Sequence, residues 1–126
     1  MPNLKDKVAL ITGAGSGIGE ATAKRLNHEG AKIVALDISG QEQATVESLS
    51  ADSVAVNGDV SRVEDVRRAI DTAVKTFGRL DILVHCAAVE GESALLADTG
   101  DASCQKVLAV NLAGTFYLMK YAIRAM

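Results

Sequence analysis

Four glycines fall within seven residues of this chain, in Gly13-Ala14-Gly15-Ser16-Gly17-Ile18-Gly19, and a carboxylate, Asp37, follows eighteen residues beyond Gly19. Glycines perform no covalent chemistry. They let a backbone turn tightly and approach an anionic group closely, where a Cβ would block one or the other. A helix starting at such a turn offers free amides and the positive end of its dipole to phosphates. An acid at the end of the next strand accepts the hydroxyl hydrogens of a ribose and repels a 2′-phosphate. Together these features describe a dinucleotide cradle, with Ser16 and Ile18 completing the loop. A glycine cluster alone often marks only a turn, so the case rests on its flanks. A Walker A loop is excluded, because no Lys-Ser/Thr pair follows the glycines.

The elements needed to hold that loop are legible. Apolar residues over 7–12 predict a strand leading into it. Ile18, Ala21, Thr22 and Leu26 share a helical face after it, and Gly30 is placed to end that helix. A second strand, over 31–36, runs into Asp37 and Ile38. A more polar helix is expected over 41–49 and a short strand over 53–56. Ser61 and Glu64 have capping-box spacing, followed by Val63, Val66, Ile70, Ala73, Val74 and Phe77 at helical intervals and by Gly78 as a stop. A fourth strand over 80–84 and a long helix from about residue 102 complete the pattern. Alternating strands and helices imply a parallel sheet covered by helices on both faces. Right-handed crossovers with one reversal of winding give strand order 3-2-1-4. The fold class is therefore α/β: a Rossmann-like, doubly wound, three-layer sandwich, read as one domain over 1–126. The last helix is apolar around most of its circumference, so one side can pack on the sheet while the other needs more chain or a second subunit.

Gross properties narrow the function. With 126 residues, 48% hydrophobic and 23% charged, the composition is that of an ordinary globular protein. A net charge of −3 gives no electrostatic case for nucleic acid or anionic membrane. The apolar run over 107–119 is too short to span a bilayer. Cys86 and Cys104, without a secretory signal or a disulfide-dense pattern, read as reduced thiols of a cytoplasmic protein.

The glycine spacing is Thr-Gly-x-x-x-Gly-x-Gly, and at Thr12, Gly13, Gly17 and Gly19 the chain resembles the short-chain dehydrogenase/reductase family. The resemblance extends along the whole chain. Asp59-Val60 matches the pair that follows the family's third strand, where the aspartate holds the adenine amino group. Leu80-Asp81-Ile82-Leu83-Val84 matches its fourth strand, and Val110-Asn111-Leu112 with Gly114, Thr115 and Phe116 matches the segment bearing its helix asparagine. It implies that Asn111 kinks the helix and orders a water in a proton relay, the one member of the catalytic set carried here. The remaining members, a serine and a Tyr-x-x-x-Lys pair, lie beyond residue 126 by family spacing. Tyr117 and Lys120 are three apart and sit in the wrong helix to replace them.

One internal motif departs from the family. Where Asn-Asn-Ala-Gly is expected, the chain reads His85-Cys86-Ala87-Ala88. Backbone contacts of Cys86, Ala87 and Ala88 with an adenosine can survive this change, but side-chain bonding must differ. Adjacent residues on a strand point to opposite faces, which argues against His85 and Cys86 forming one nucleophilic or metal site. No metal site is expected.

The sequence thus supports two functions. In the first, the chain is the adenosine-binding part of an oxidoreductase that transfers hydride between NAD and a small secondary alcohol or ketone. NAD is favoured over NADP by Asp37, which no Lys or Arg immediately follows. This part alone binds nucleotide and turns nothing over. In the second, it is a short NAD-binding or interaction module, and homo-oligomerisation through the last helix is expected.

Overall fold

The computed structural model describes residues 3–50 and 52–126, and its core is a four-stranded parallel sheet in the order β3-β2-β1-β4. The strands are β1 (Val8–Thr12), β2 (Lys32–Asp37), β3 (Ser53–Asn57) and β4 (Ile82–His85). Every residue of β1 is buried, as expected of a central strand covered on both faces. The register sets Thr12 opposite Leu36 on one side and His85 on the other, so the chemistry-bearing strand ends lie together. At the opposite end, the Asp81 carboxylate accepts the Val8 amide at 2.9 Å and is gripped by the Arg79 guanidinium, which holds its carboxyl below the usual carboxylate range.

Helices α1 (Gly17–His28) and α2 (Glu42–Glu47) follow β1 and β2. Ala9, Ile11, Ala23, Ile33 and Ala35 make the core on the α1 face. Helices α3 (Val63–Phe77) and α5 (Gly114–Ala125) contribute to the other core, where Val66, Ala69, Ile70, Leu118 and Ala122 close over Val8, Leu10, Val34 and Leu36. The strand order and three-layer arrangement agree with the sequence expectation.

Two local features do not. The Ser61–Glu64 capping box is absent: α3 begins at Val63, and no side chain caps it. Asp59 captures Ser61 instead, accepting its amide at 2.8 Å and its hydroxyl at 2.7 Å, while Asp65 rather than Glu64 reaches back to the Asp59 amide at 2.9 Å. An aspartate two residues ahead of a serine offers a shorter closure than the box does. The long final helix expected from its apolar pattern is also not continuous, and its break lies at Asn111, where the resemblance implies a kink. It comprises α4 (Asp101–Val107), one π-helical turn (Leu108–Ala113) and α5. Within the π turn Asn111 faces the loop after β4, accepting the Val89 amide at 2.9 Å and donating to the Val89 carbonyl at 2.8 Å.

Candidate nucleotide-binding site

A cavity of about 450 Å³ opens at the carboxyl ends of the strands, between the loop after β1 and the loop after β4. In an open α/β sheet this crevice, where the strand order reverses direction, is where ligands bind. Its floor is shaped by contacts too close for any side chain. A Cβ on Gly13, whose φ is +65°, would lie 2.8 Å from the Ala87 nitrogen, and one on Gly19 would lie 2.1 Å from the Gly13 carbonyl oxygen. Both positions require glycine, the first on conformation and space, the second on space alone. The loop therefore folds flat against the start of α1 and the segment after β4. The first residues of α1, Gly17, Ile18 and Gly19, line the cavity, and the amides of a helix's first turn have no intrahelical acceptor.

Asp37 stands beside this loop. Its Oδ2 accepts the Gly15 amide at 2.8 Å and its Oδ1 the Ser39 amide at 3.0 Å. Burial pushes its carboxyl up, but the amides of Ser39 and Gly15 outweigh that, and the group is held below the ordinary carboxylate range. It is thus a fixed negative charge at the end of β2. Ile38, two-thirds exposed, presents an apolar face next to it.

The Thr12 hydroxyl organises the β4 side. It accepts the amides of Cys86 and Ala87, each at 3.1 Å, and contacts His85 Nδ1 at 2.6 Å. With both of its acceptor positions occupied, Thr12 must donate its own hydrogen to Nδ1, so the ring proton of neutral His85 sits on Nε2. This is the changed side-chain bonding expected where the chain reads His-Cys instead of Asn-Asn. Burial lowers the His85 pKa below its ordinary value.

Every residue expected from sequence to contact a cofactor borders this one cavity: Gly13 and Ser16 from the loop, Gly17, Ile18 and Gly19 from the start of α1, Asp37 from the end of β2 and Ile38 just after it, Asp59 and Val60 beyond β3, and Cys86, Ala87 and Ala88 beyond β4. Asn111 does not border it and acts one step away, through Val89, which does. Sequence reasoning missed Lys106 of α4, which reaches the rim, and Thr45 of α2, whose buried hydroxyl donates to the Ala14 carbonyl at 2.9 Å and pins the glycine loop from behind. Neither carries a local motif, because each meets the site only through packing.

A family model described as short chain dehydrogenase matches residues 7–126. The chain belongs to the short-chain dehydrogenase/reductase family. It is 37% identical over 98% of its length to a secoisolariciresinol dehydrogenase of Forsythia intermedia, and 41% identical over 98% to a mitochondrial borneol dehydrogenase of Lavandula x intermedia, covering 46% and 48% of those proteins. Among solved structures, it superposes with a TM-score of 0.93 and 33% identity on a 3-ketoacyl-(acyl-carrier-protein) reductase from Brucella melitensis complexed with NADH, covering 98% of this chain and 51% of that one. The chain thus spans about half the length of these relatives, matching the N-terminal part of NAD(P)-dependent oxidoreductases. Among the described residues, no helix is long and apolar enough to cross a membrane.

Proposed function

We propose that the cavity binds the adenosine end of NAD, and that the complete protein is an oxidoreductase moving hydride between NAD(H) and a small secondary alcohol or ketone. The observation that carries this reading is the placement of the Asp37 carboxylate against the glycine loop at Gly15. One bonded unit joins the feature suited to pyrophosphate with the feature suited to a ribose diol.

The residues fit the cofactor. The loop has no room for a Cβ at Gly13 or Gly19 and leaves its backbone to the phosphates. Asp37 accepts the ribose hydroxyls and repels a 2′-phosphate, which favours NAD over NADP. Asp59 uses Oδ1 on Ser61 and keeps Oδ2 for the adenine amino group, while Val60 and Ile38 offer apolar contact to the base. Cys86, Ala87 and Ala88 present backbone along the other wall. NAD, when bound, supplies the hydride acceptor, and this chain's residues bind and orient it. Asn111 orders the segment after β4. The unpaired thiols of Cys86 and Cys104 suit a reducing, cytoplasmic setting.

The test is titration with NADH and NADPH by fluorescence, on the native chain and on Asp37→Ala. NADH should bind the native chain more tightly, and the substitution should weaken NADH by about tenfold, the worth of charge-assisted hydrogen bonds, while NADPH changes little or tightens. Equal losses for both would refute the role of Asp37. Secondary alcohols added to the same samples with NAD should yield no NADH.

A second reading has its own observation. Leu108, Leu112, Phe116, Met119 and Ile123 form one exposed apolar stripe along the π turn and α5. This favours self-association through the last helix, alongside or in place of catalysis.

A further inference from the structure

Behind the turn that carries Asp37 lies a buried acid that the nucleotide reading does not use. Glu42, at the start of α2, is only 3% exposed. Its Oε1 accepts Asn57 Nδ2 at 2.9 Å, and its Oε2 is the one buried side-chain polar atom without a partner among the described residues. A half-satisfied buried carboxylate is costly for stability, so its presence calls for a return elsewhere. The same Asn57 amide also reaches the Asp37 carbonyl at 3.2 Å and the Ile38 carbonyl at 3.3 Å. The Gly58 amide reaches the Asp37 carbonyl as well, at 2.9 Å. Asn57 ends β3 in register with Asp37, so its side chain crosses from the neighbouring strand onto the turn.

We infer that Glu42 and Asn57 form a brace that sets cofactor specificity by fixing the Asp37–Ile38 turn. They are positioning residues and border no part of the cavity. Glu42 takes one hydrogen of the Asn57 amide and holds it in place, and the other hydrogen is shared between two successive carbonyls of the turn. The turn's outward side then has one arrangement, in which the Asp37 carboxylate bonds Gly15 and Ser39 and meets the ribose at a fixed angle. A diol needs two acceptor positions held together, so it gains from this rigidity. A 2′-phosphate meets a carboxylate that cannot swing aside, so it loses from it. Releasing the brace should therefore move the two ligands in opposite directions.

No charged ligand contact is involved, which separates this role from that of Asp37. The inference rests on the proposal that Asp37 faces the ribose, and the test distinguishes failure of either. The probes are 5′-AMP and adenosine 2′,5′-bisphosphate, titrated into the native chain, Asn57→Ala, Glu42→Gln, Glu42→Met and Asp37→Ala, with heteronuclear NMR shifts reporting both affinity and fold. Asn57 is exposed, but its replacement strips the buried Glu42 carboxylate of its one partner, so the same spectra must show that the fold is kept. Asn57→Ala should weaken 5′-AMP about fivefold, the value of a hydrogen bond, and leave the bisphosphate unchanged or tighter. Glu42→Gln keeps a carbonyl acceptor for Asn57 and should retain the native preference. Glu42→Met fills the same space without an acceptor and should lose it, which keeps the idea testable should Asn57→Ala fold poorly.

A merely structural role would weaken both ligands together. An unchanged ratio in Asn57→Ala and Glu42→Met, with the ratio collapsing in Asp37→Ala, overturns the brace and leaves the ribose reading standing. An unchanged ratio in Asp37→Ala removes the ribose reading and the brace with it.

Discussion

The hydroxyl of Thr12 holds two backbone amides and a histidine ring at once, and the direction of its own hydrogen decides the tautomer of His85. A proton arriving on Nδ1 would remove the acceptor for that hydrogen and set two donors against each other. Burial already disfavours the charged ring, so the folded-state pKa lies below the unfolded value near 6.5. The sign follows. The unfolded chain takes up the proton first as pH falls, so stability is complete above about pH 6.5 and is lost as pH drops toward the folded pKa. Thermal melts of the native chain should therefore fall between pH 8 and pH 5.5 by more than those of His85→Asn, whose amide does not titrate. Parallel pH slopes for the two would show that the ring protonates without consequence. None of this was legible in the sequence. The glycines and Asp37 could be read because loop, strand and acid are set by spacing along the chain. The partner of His85 is fixed only by the register of β4 on β1, a pairing of residues 12 and 85.

Helix and loop geometry shows the same division between local and distant causes. The periodicity of α3 is plain in its sequence, yet the capping box at its start does not form, because Asp59 takes the Ser61 amide that Glu64 would have capped and engages the Ser61 hydroxyl as well. The break in the final helix came from the resemblance rather than the pattern, since nothing in residues 102–126 resembles a helix stop. Its physical basis is visible in the π turn, where the widened backbone carries Asn111. Both polar ends of that side chain are spent on Val89, and the Asn111 backbone carbonyl accepts the Thr115 hydroxyl at 2.7 Å. Asn111 thus fastens α4 and α5 to the loop after β4. Asn111→Ala leaves the Val89 amide and carbonyl unpartnered and should cost about 1–3 kcal/mol in urea denaturation. Asn111→Asp keeps the acceptor but loses the donor, so it should fall between the two. Unchanged stability in Asn111→Ala would separate the residue from the loop and return it to a purely chemical role.

Across the molecule, burial is uneven in a way that follows the strand order. β1 is fully buried, whereas all four residues of β4 are half-buried at an open edge. On the same side, α5 packs inward through Gly114, Leu118 and Ala122, which accounts for one apolar face. The opposite face exposes Leu112 and Ile123 at 66% each and Phe116 at 60%. An apolar stripe continuous over the π turn and α5 is larger than isolated surface hydrophobics explain. We propose a second copy of the chain as its cover. Burying one leucine or phenylalanine side chain contributes about 1.5–3 kcal/mol, and a Leu112→Ser/Phe116→Ser variant loses two from each copy, so association should weaken by about ten-thousandfold or more. Sedimentation equilibrium should find the native chain self-associated at micromolar concentration and the variant monomeric, with nucleotide titrations of the two alike, since neither side chain borders the cavity. A native chain that sediments as a monomer across that range would sink the proposal. A variant that also lost nucleotide affinity would mean that the last helix supports the cavity from outside, through Asn111 and Val89, rather than serving as a separate face.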